Sequence, residues 1–273
     1  DIASQRLTGA FPDEPEVEAE LRAALGKAYM NVDQWEQSRR ETLAAISLFT
    51  SSLGQSSEEV LNLRSDIDQL YQIMGVGKER VQNARDLLAG AEERWAESEL
   101  ELAYRKGRLA SALMGYGSYS EAHELAKEVW GVYQDQIGAD SSATLFAQIR
   151  YAWLSLKTGN VERAEEIARD AMERSSRAFG ENHSRYQAAR SCLAGIQIVN
   201  GQLDSARTLY GKLRMPDQFG IERTFQGELD LNSKPFQVLV FFATWCPFSN
   251  RAMPELDKVY QQYNQFGLNV LGF

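Results

Sequence analysis

A chain of 273 residues, 44% of them hydrophobic, has enough apolar side chain for a sizeable core and length for about two domains. Its formal charge of −9 and isoelectric point near 5.0 argue against nucleic acid or an anionic membrane surface as the main partner, and no apolar run approaches the roughly 18 residues of a membrane-spanning helix. Two cysteines (Cys192, Cys246) and two histidines (His123, His183) supply neither a disulfide framework nor a zinc-ligand set, so no metal or cofactor is expected.

Residues 1–14 read as an N-terminal arm that begins at Asp1, as a processed or trimmed chain would. From Pro15 onward a ladder appears: Asp33, Gly75, Gly117, Gly159 and Gly201 recur every 42 residues, and Gly54, Ala96, Gly138 and Gly180 repeat the same step between them. Self-similarity at such a period marks stacked repeats. Around Gly159, apolar residues at Leu145, Ile149, Ala152, Trp153 and Leu156 precede the turn, and Val161, Ala164, Ile167, Ala168 and Ala171 follow it, both at helical spacing. Glycine tolerates the left-handed backbone that such a reversal needs. Small residues lie seven positions before the turns (Gly26, Ala110, Ala152, Ala194) and five after (Ala122, Ala164, Ala206), where two helices of a hairpin touch. The second unit breaks this rule with Asp68 and Arg80 and is expected to be distorted, with Gly77 as a second loose point.

The stretches Gly117-Ser-Tyr-Ser-Glu-Ala122, Gly159-Asn-Val-Glu-Arg-Ala164 and Gly201-Gln-Leu-Asp-Ser-Ala206 resemble the tetratricopeptide repeat in its 42-residue, kinesin-light-chain-like form. The resemblance covers Pro15–Leu213 and implies a mostly α chain: a right-handed α-solenoid of about five helical hairpins over residues 15–214. It further implies that the first helix of each hairpin lines a concave groove. The positions carried over are polar early (Glu20, Lys27, Asn31, Asn62, Ser65, Gln69, Gln72) and apolar later (Tyr104, Met114, Phe146, Ile149, Trp153, Leu156, Ile198, Val199). Such a groove suits a protein or peptide partner, while packing against neighbouring helices or the chain's own C-terminal segment is the plainer alternative. Lys27 and Asn31 alone do not repeat along the array and do not make a carboxylate clamp. Cys192 is expected in the core, and His123 and His183 at the surface or capping helices.

After Leu213 the rhythm changes. Residues 215–224 read as a linker, Val238–Phe242 as a buried strand, Asn250–Asn264 as a helix kinked at Pro254, and Leu268–Phe273 as another strand. The run Phe-Phe-Ala-Thr-Trp245-Cys246-Pro247, with Met253-Pro-Glu-Leu256, is similar to thioredoxin-fold proteins of the TlpA-like type. That resemblance implies a partial thioredoxin-like α/β segment over 225–273, incomplete at Phe273, with Cys246 as candidate nucleophile at a helix start, flanked by Trp245 and Pro247. Ser249 stands where the family has its second cysteine, so a mixed disulfide formed at Cys246 has no resolving thiol and the chain is expected to be inactive in insulin reduction. Three functions stay open: a recruitment scaffold presenting this module, a thiol–disulfide enzyme whose array selects substrates, and a purely structural adaptor. The resemblance also implies a periplasmic or other envelope location, with the cytoplasm still open.

Overall fold

The computed structural model describes residues 2–210 and four short strands: β1 (Arg214–Pro216), β2 (Glu222–Thr224), β3 (Phe236–Val240) and β4 (Leu268–Gly272). A short helix, α1 (Ile2–Leu7), precedes five antiparallel hairpins: α2 (Pro15–Asn31) with α3 (Trp35–Leu53), α4 (Glu58–Met74) with α5 (Gly77–Arg94), α6 (Glu99–Tyr116) with α7 (Tyr119–Ile137), α8 (Ser142–Lys157) with α9 (Val161–Phe179), and α10 (Ser184–Val199) with α11 (Leu203–Tyr210). Each helix packs on the next in sequence, and α8 also packs on α10, which is the stacking of a solenoid.

One device closes every hairpin. Asp33, Gly75, Gly117, Gly159 and Gly201 all have positive φ, from 59° to 94°. The residue after each donates its N–H to a carbonyl five positions back: Gln34 to Tyr29, Val76 to Tyr71, Ser118 to Leu113, Asn160 to Ser155 and Gln202 to Gln197. This is the Schellman closure, in which one left-handed residue lets the orphan carbonyls of a helix end find donors. Between hairpins a second device operates. Gly54, Gly138 and Gly180 combine φ of 81–89° with extended ψ, a region almost reserved for glycine. The next helix is then capped by a side chain: Ser57, Ser98, Ser141 and His183 accept from backbone N–H groups of α4, α6, α8 and α10. Where the ladder has Ala96 in place of glycine, α5 instead ends through Trp95 at φ −124°, an angle open to any residue with a side chain.

Small residues do hold the hairpins together. Gly26, Ala110, Ala122, Ala152, Ala164, Ala194 and Ala206 are all buried. At Gly26 an added Cβ would stand 2.6 Å from the Thr42 hydroxyl and 3.3 Å from the Ser38 carbonyl. The second hairpin keeps the same phase despite Asp68 and Arg80, because the two bind each other: Arg80 Nε and Nη2 donate to the Asp68 carboxylate at 2.9 and 3.3 Å. The expected distortion is thus replaced by a buried ion pair.

β1 pairs antiparallel with β2, and all but Arg214 of this pair lies in residues 215–224, read from the sequence as a linker. β3 pairs with β4 in parallel, from Phe236↔Leu268 to Val240↔Gly272.

Candidate partner-binding face

The first helices of successive hairpins are tied to one another through their main chains. Arg108 on α6 donates to the Ser65 carbonyl of α4 at 2.7 Å, Arg150 on α8 to the Gly107 carbonyl of α6, and the Cys192 thiol on α10 to the Ile149 carbonyl of α8 at 3.8 Å. Arg108, Arg150 and Cys192 occupy one repeat position, and each reaches the carbonyl one repeat and one residue earlier. A Cβ on Gly107 would stand at ordinary contact distance, 3.6 Å, from Arg150 Nη1. The thiol at the last of the three is pushed up to about 12 by burial, so Cys192 stays protonated and inert as expected of a core cysteine.

Aromatic rings alternate with these cations. Phe146, 41% exposed, lies between two guanidinium groups, with Arg150 at 4.9 Å and Arg185 at 4.5 Å from its centroid. Tyr104, 46% exposed, has Arg105 over its ring at 5.0 Å, and Arg105 also covers Trp95 at 5.3 Å. Lys157 sits 4.8 Å from the Trp153 ring. Stacked guanidinium planes keep their N–H edges free for a planar anion.

Negative charge does not balance this row. Among the described residues, Arg150 and Arg185 have no carboxylate partner: Arg185 Nε donates to the Ser142 hydroxyl and Arg150 to a carbonyl. Arg108 shares Asp68 with Arg80, at 3.1 Å, and Arg105 reaches Glu101 only at 3.9 Å. The Nε atoms of Arg105 and Arg108 are buried with no hydrogen-bond partner. Burial lowers the Arg150 pKa from its ordinary value; Tyr133 opposes that shift and the like charge of Arg80 adds to it. Asp66, exposed on α4, is the carboxylate at the repeat position of Arg108 and Arg150.

The positions expected to line a groove divide. Tyr104, Phe146, Ile198 and Val199 are exposed; Met114 and Trp153 are half-buried against the larger core. Ile149 and Leu156 are 8% exposed and belong to that core, so they pack the array and do not face a partner. Helix α10 lies over α8 at this point, with its Cys192 on the Ile149 carbonyl. The early positions Glu20, Lys27, Asn31, Asn62, Gln69 and Gln72 are exposed and Ser65 is half-buried, its hydroxyl accepting from Arg105. The residues missed by the sequence reading are the arginines. Their signal was present: Arg108 and Arg150 lie one repeat apart, and each is preceded four residues earlier by an aromatic ring, Tyr104 and Phe146.

His183 caps α10, its Nδ1 accepting from the Arg185 N–H, and stacks on Phe179 at 4.5 Å. His123 is not at the surface. It is half-buried, 3.2 Å from the Ser155 hydroxyl and 4.9 Å from the Tyr151 ring, with Glu124 on its other nitrogen at 3.1 Å. Ser155 is fully buried, and its bond to His123 ties α7 to α8. Trp245, Cys246, Pro247 and Ser249 lie outside the described residues. No group of metal-ligating side chains and no helix long and apolar enough to cross a membrane occurs among the described residues.

The Tetratricopeptide repeat family profile matches residues 152–185. The chain is 22% identical over 196 residues to human Tetratricopeptide repeat protein 23, covering 70% of this chain and spanning 43% of that curated relative's length. Among solved structures it is similar to a putative kinesin light chain with nearly identical TPR-like repeats from Podosopora anserina, with TM-score 0.62, 18% identity, and coverage of 72% of this chain and 92% of that one. It is also similar to BtubC (BKLC) from P. vanneervenii, with TM-score 0.58, 15% identity, and coverage of 76% and 82%. The chain therefore carries tetratricopeptide repeats in a kinesin-light-chain-like fold, an architecture suited to holding a protein partner.

Proposed function

We propose that the array is a protein-interaction scaffold whose first-helix face takes an extended, acidic segment of a partner. The observation that carries this reading is the row Arg105, Arg108, Arg150 and Arg185, interleaved with Tyr104 and Phe146, which holds more positive charge than its own carboxylates offset in a chain of net charge −9. Guanidinium edges recognise carboxylates in pairs, and the exposed rings accept apolar side chains between them. Packed helices stand about 8–10 Å apart. An extended chain in the polyproline-II form rises about 3.1 Å per residue with three residues per turn, so a carboxylate at every third residue lies on one side and would meet successive hairpins. Fluorescence anisotropy with a labelled 12-residue peptide carrying Glu at every third position tests this. The acidic peptide should bind at least tenfold tighter than its Gln counterpart, and the difference should shrink as salt is raised from 50 to 500 mM. Equal affinity of the two peptides contradicts the reading.

A second reading concerns residues 225–273. We propose that they form the opening half of a thioredoxin-like fold in which Cys246 is a single attacking thiol, and that the array presents this module to its partner. The parallel pairing of β3 with β4 supports it, because parallel neighbours need a crossover of a dozen or more residues, usually helical, and residues 241–267 connect the two. Selection of protein substrates by the array for a thiol–disulfide reaction at Cys246 is the enzymatic form of the same proposal. An oxidising envelope compartment belongs with it. Thiol-reagent titration of Cys246 across pH should give a pKa below the free-cysteine value of about 8.5, with no insulin reduction. An ordinary pKa removes the redox role and leaves the scaffold.

A further inference from the structure

Two separate clusters hold most of the buried apolar side chains of the described residues. The smaller draws on α2, α3 and α4, from Ala19 through Phe49 to Tyr71; the larger begins at Val81 on α5 and runs to Ile196 on α10. The division falls inside the second hairpin, between α4 and α5, where a polar network crosses beside the buried Leu61, Leu87 and Ala91. Arg80 holds Asp68 with two hydrogen bonds, and Arg108 reaches over from α6 to the same carboxylate at 3.1 Å and to the Ser65 carbonyl. Arg64 donates to Asn83 Oδ1 at 3.3 Å and pairs with Asp86 at 2.9 Å, while the Asn83 amide returns a bond to the Arg64 carbonyl at 2.8 Å. The tight apolar point is at the other end of the same two helices, where a Cβ on Gly90 would stand 2.7 Å from the Gln55 carbonyl and 2.9 Å from Leu61.

We propose that this seam is a hinge built into the array, with the Gly90–Leu61 contact as its pivot, and that it divides the solenoid into two cooperative bodies, α1–α4 and α5 onward. An apolar interface opens only by exposing its whole area to water. Hydrogen bonds and ion pairs exchange their partners for water at small net cost, and a paired buried charge contributes little beyond the desolvation it offsets. The third to fifth hairpins meet through Ala110 and Ala122, Ala152 and Ala164, and Ala194 and Ala206, all buried; the first also buries an ion pair, Arg22 with Glu41, but its apolar side chains stay within one cluster. Arg108 serves both the seam and the cationic face, so an anion held on that face competes with Asp68 for it. That coupling rests on the binding reading above; the hinge itself does not.

Native-state hydrogen exchange of the full chain without peptide, read by mass spectrometry, tests the hinge. Amides of α2–α4 and of α7–α9 should fall into two classes whose protection differs at least tenfold. Asp68→Asn, which keeps the shape and leaves two guanidinium groups without their carboxylate, should speed exchange in α4 at least tenfold and leave α9 within twofold. The double variant Asp68→Ala/Arg80→Ala, which installs the small pair of the other hairpins, should bring the classes to within threefold. A single class in the unaltered chain, equal acceleration of α4 and α9 in Asp68→Asn, or an unchanged gap in the double variant overturns the proposal. Loss of acidic-peptide binding with both classes intact would remove the binding reading and leave the hinge standing.

Discussion

At Asp33 the turn ladder carries a side chain in a conformation that four glycines take elsewhere. Its φ of 59° is the only positive value outside glycine among the described residues. Aspartate tolerates this better than most residues, yet a Cβ there still crowds the following carbonyl. Asp33→Gly should therefore raise stability by up to about 1 kcal/mol and Asp33→Val should lower it by about 1–2 kcal/mol, read by urea unfolding. Cys192 makes a second expectation at this scale. With its thiol pushed up to about 12 by burial, iodoacetamide at pH 8 should leave the Cys192 peptide unmodified in the folded chain and alkylate it in urea. The folded state holds the proton that the unfolded thiol loses near pH 9, so this site takes stability away as pH rises from about 9 towards 12. The sequence marked Asp68 and Arg80 as misfits because each breaks the small-residue rule alone. Their meaning lies in the pair, which a one-residue rule does not see.

Among the elements, α1 is held to the first hairpin by charge. Burial works against ionisation of Glu41, but hydrogen bonds from Ser4, Arg40 and Arg22 outweigh it and hold the carboxyl below its ordinary value. Arg22 also donates to Thr8 and to Glu18, which accepts from the Gly9 N–H. A carboxyl whose pKa falls on folding contributes stability above its unfolded pKa and loses it as pH falls through the folded one. The N-terminal arm should therefore release below about pH 4.5 and stay in place at neutral pH; Glu41→Gln should release it at pH 7, read as exchange of α1 amides and as new proteolytic cleavage near residue 10. On α5, Gly90→Ala would drive a methyl group into the Gln55 backbone, and a cost of about 1–3 kcal/mol is expected with no change in the other hairpins' exchange. The hairpins themselves were legible because one turn chemistry recurs: each left-handed residue and each small contact is fixed by a single side chain at a fixed step. The end of α5 was not, since Ala96 keeps the ladder's step without glycine's left-handed freedom and Trp95 takes over the stop.

At the scale of the molecule, charge is divided in a way that composition hides. A net charge of −9 argues against polyanions as partners of the whole chain, while four half-buried arginines lie beside the exposed rings of Tyr104 and Phe146. The sequence placed Tyr104 and Phe146 on first helices of their hairpins, and both rings are exposed there. It misjudged Ile149 and Leu156, because helical periodicity alone does not say whether an apolar position meets solvent or the next hairpin. It missed the arginines because their role depends on contacts between units. The Arg150→Ala/Arg185→Ala variant, titrated with the acidic peptide, tests the account most directly. Removing both guanidinium groups beside Phe146 should weaken binding at least tenfold, about 1.4 kcal/mol or more, while hydrogen exchange shows the hairpins still folded. Undiminished affinity in that folded variant would contradict it.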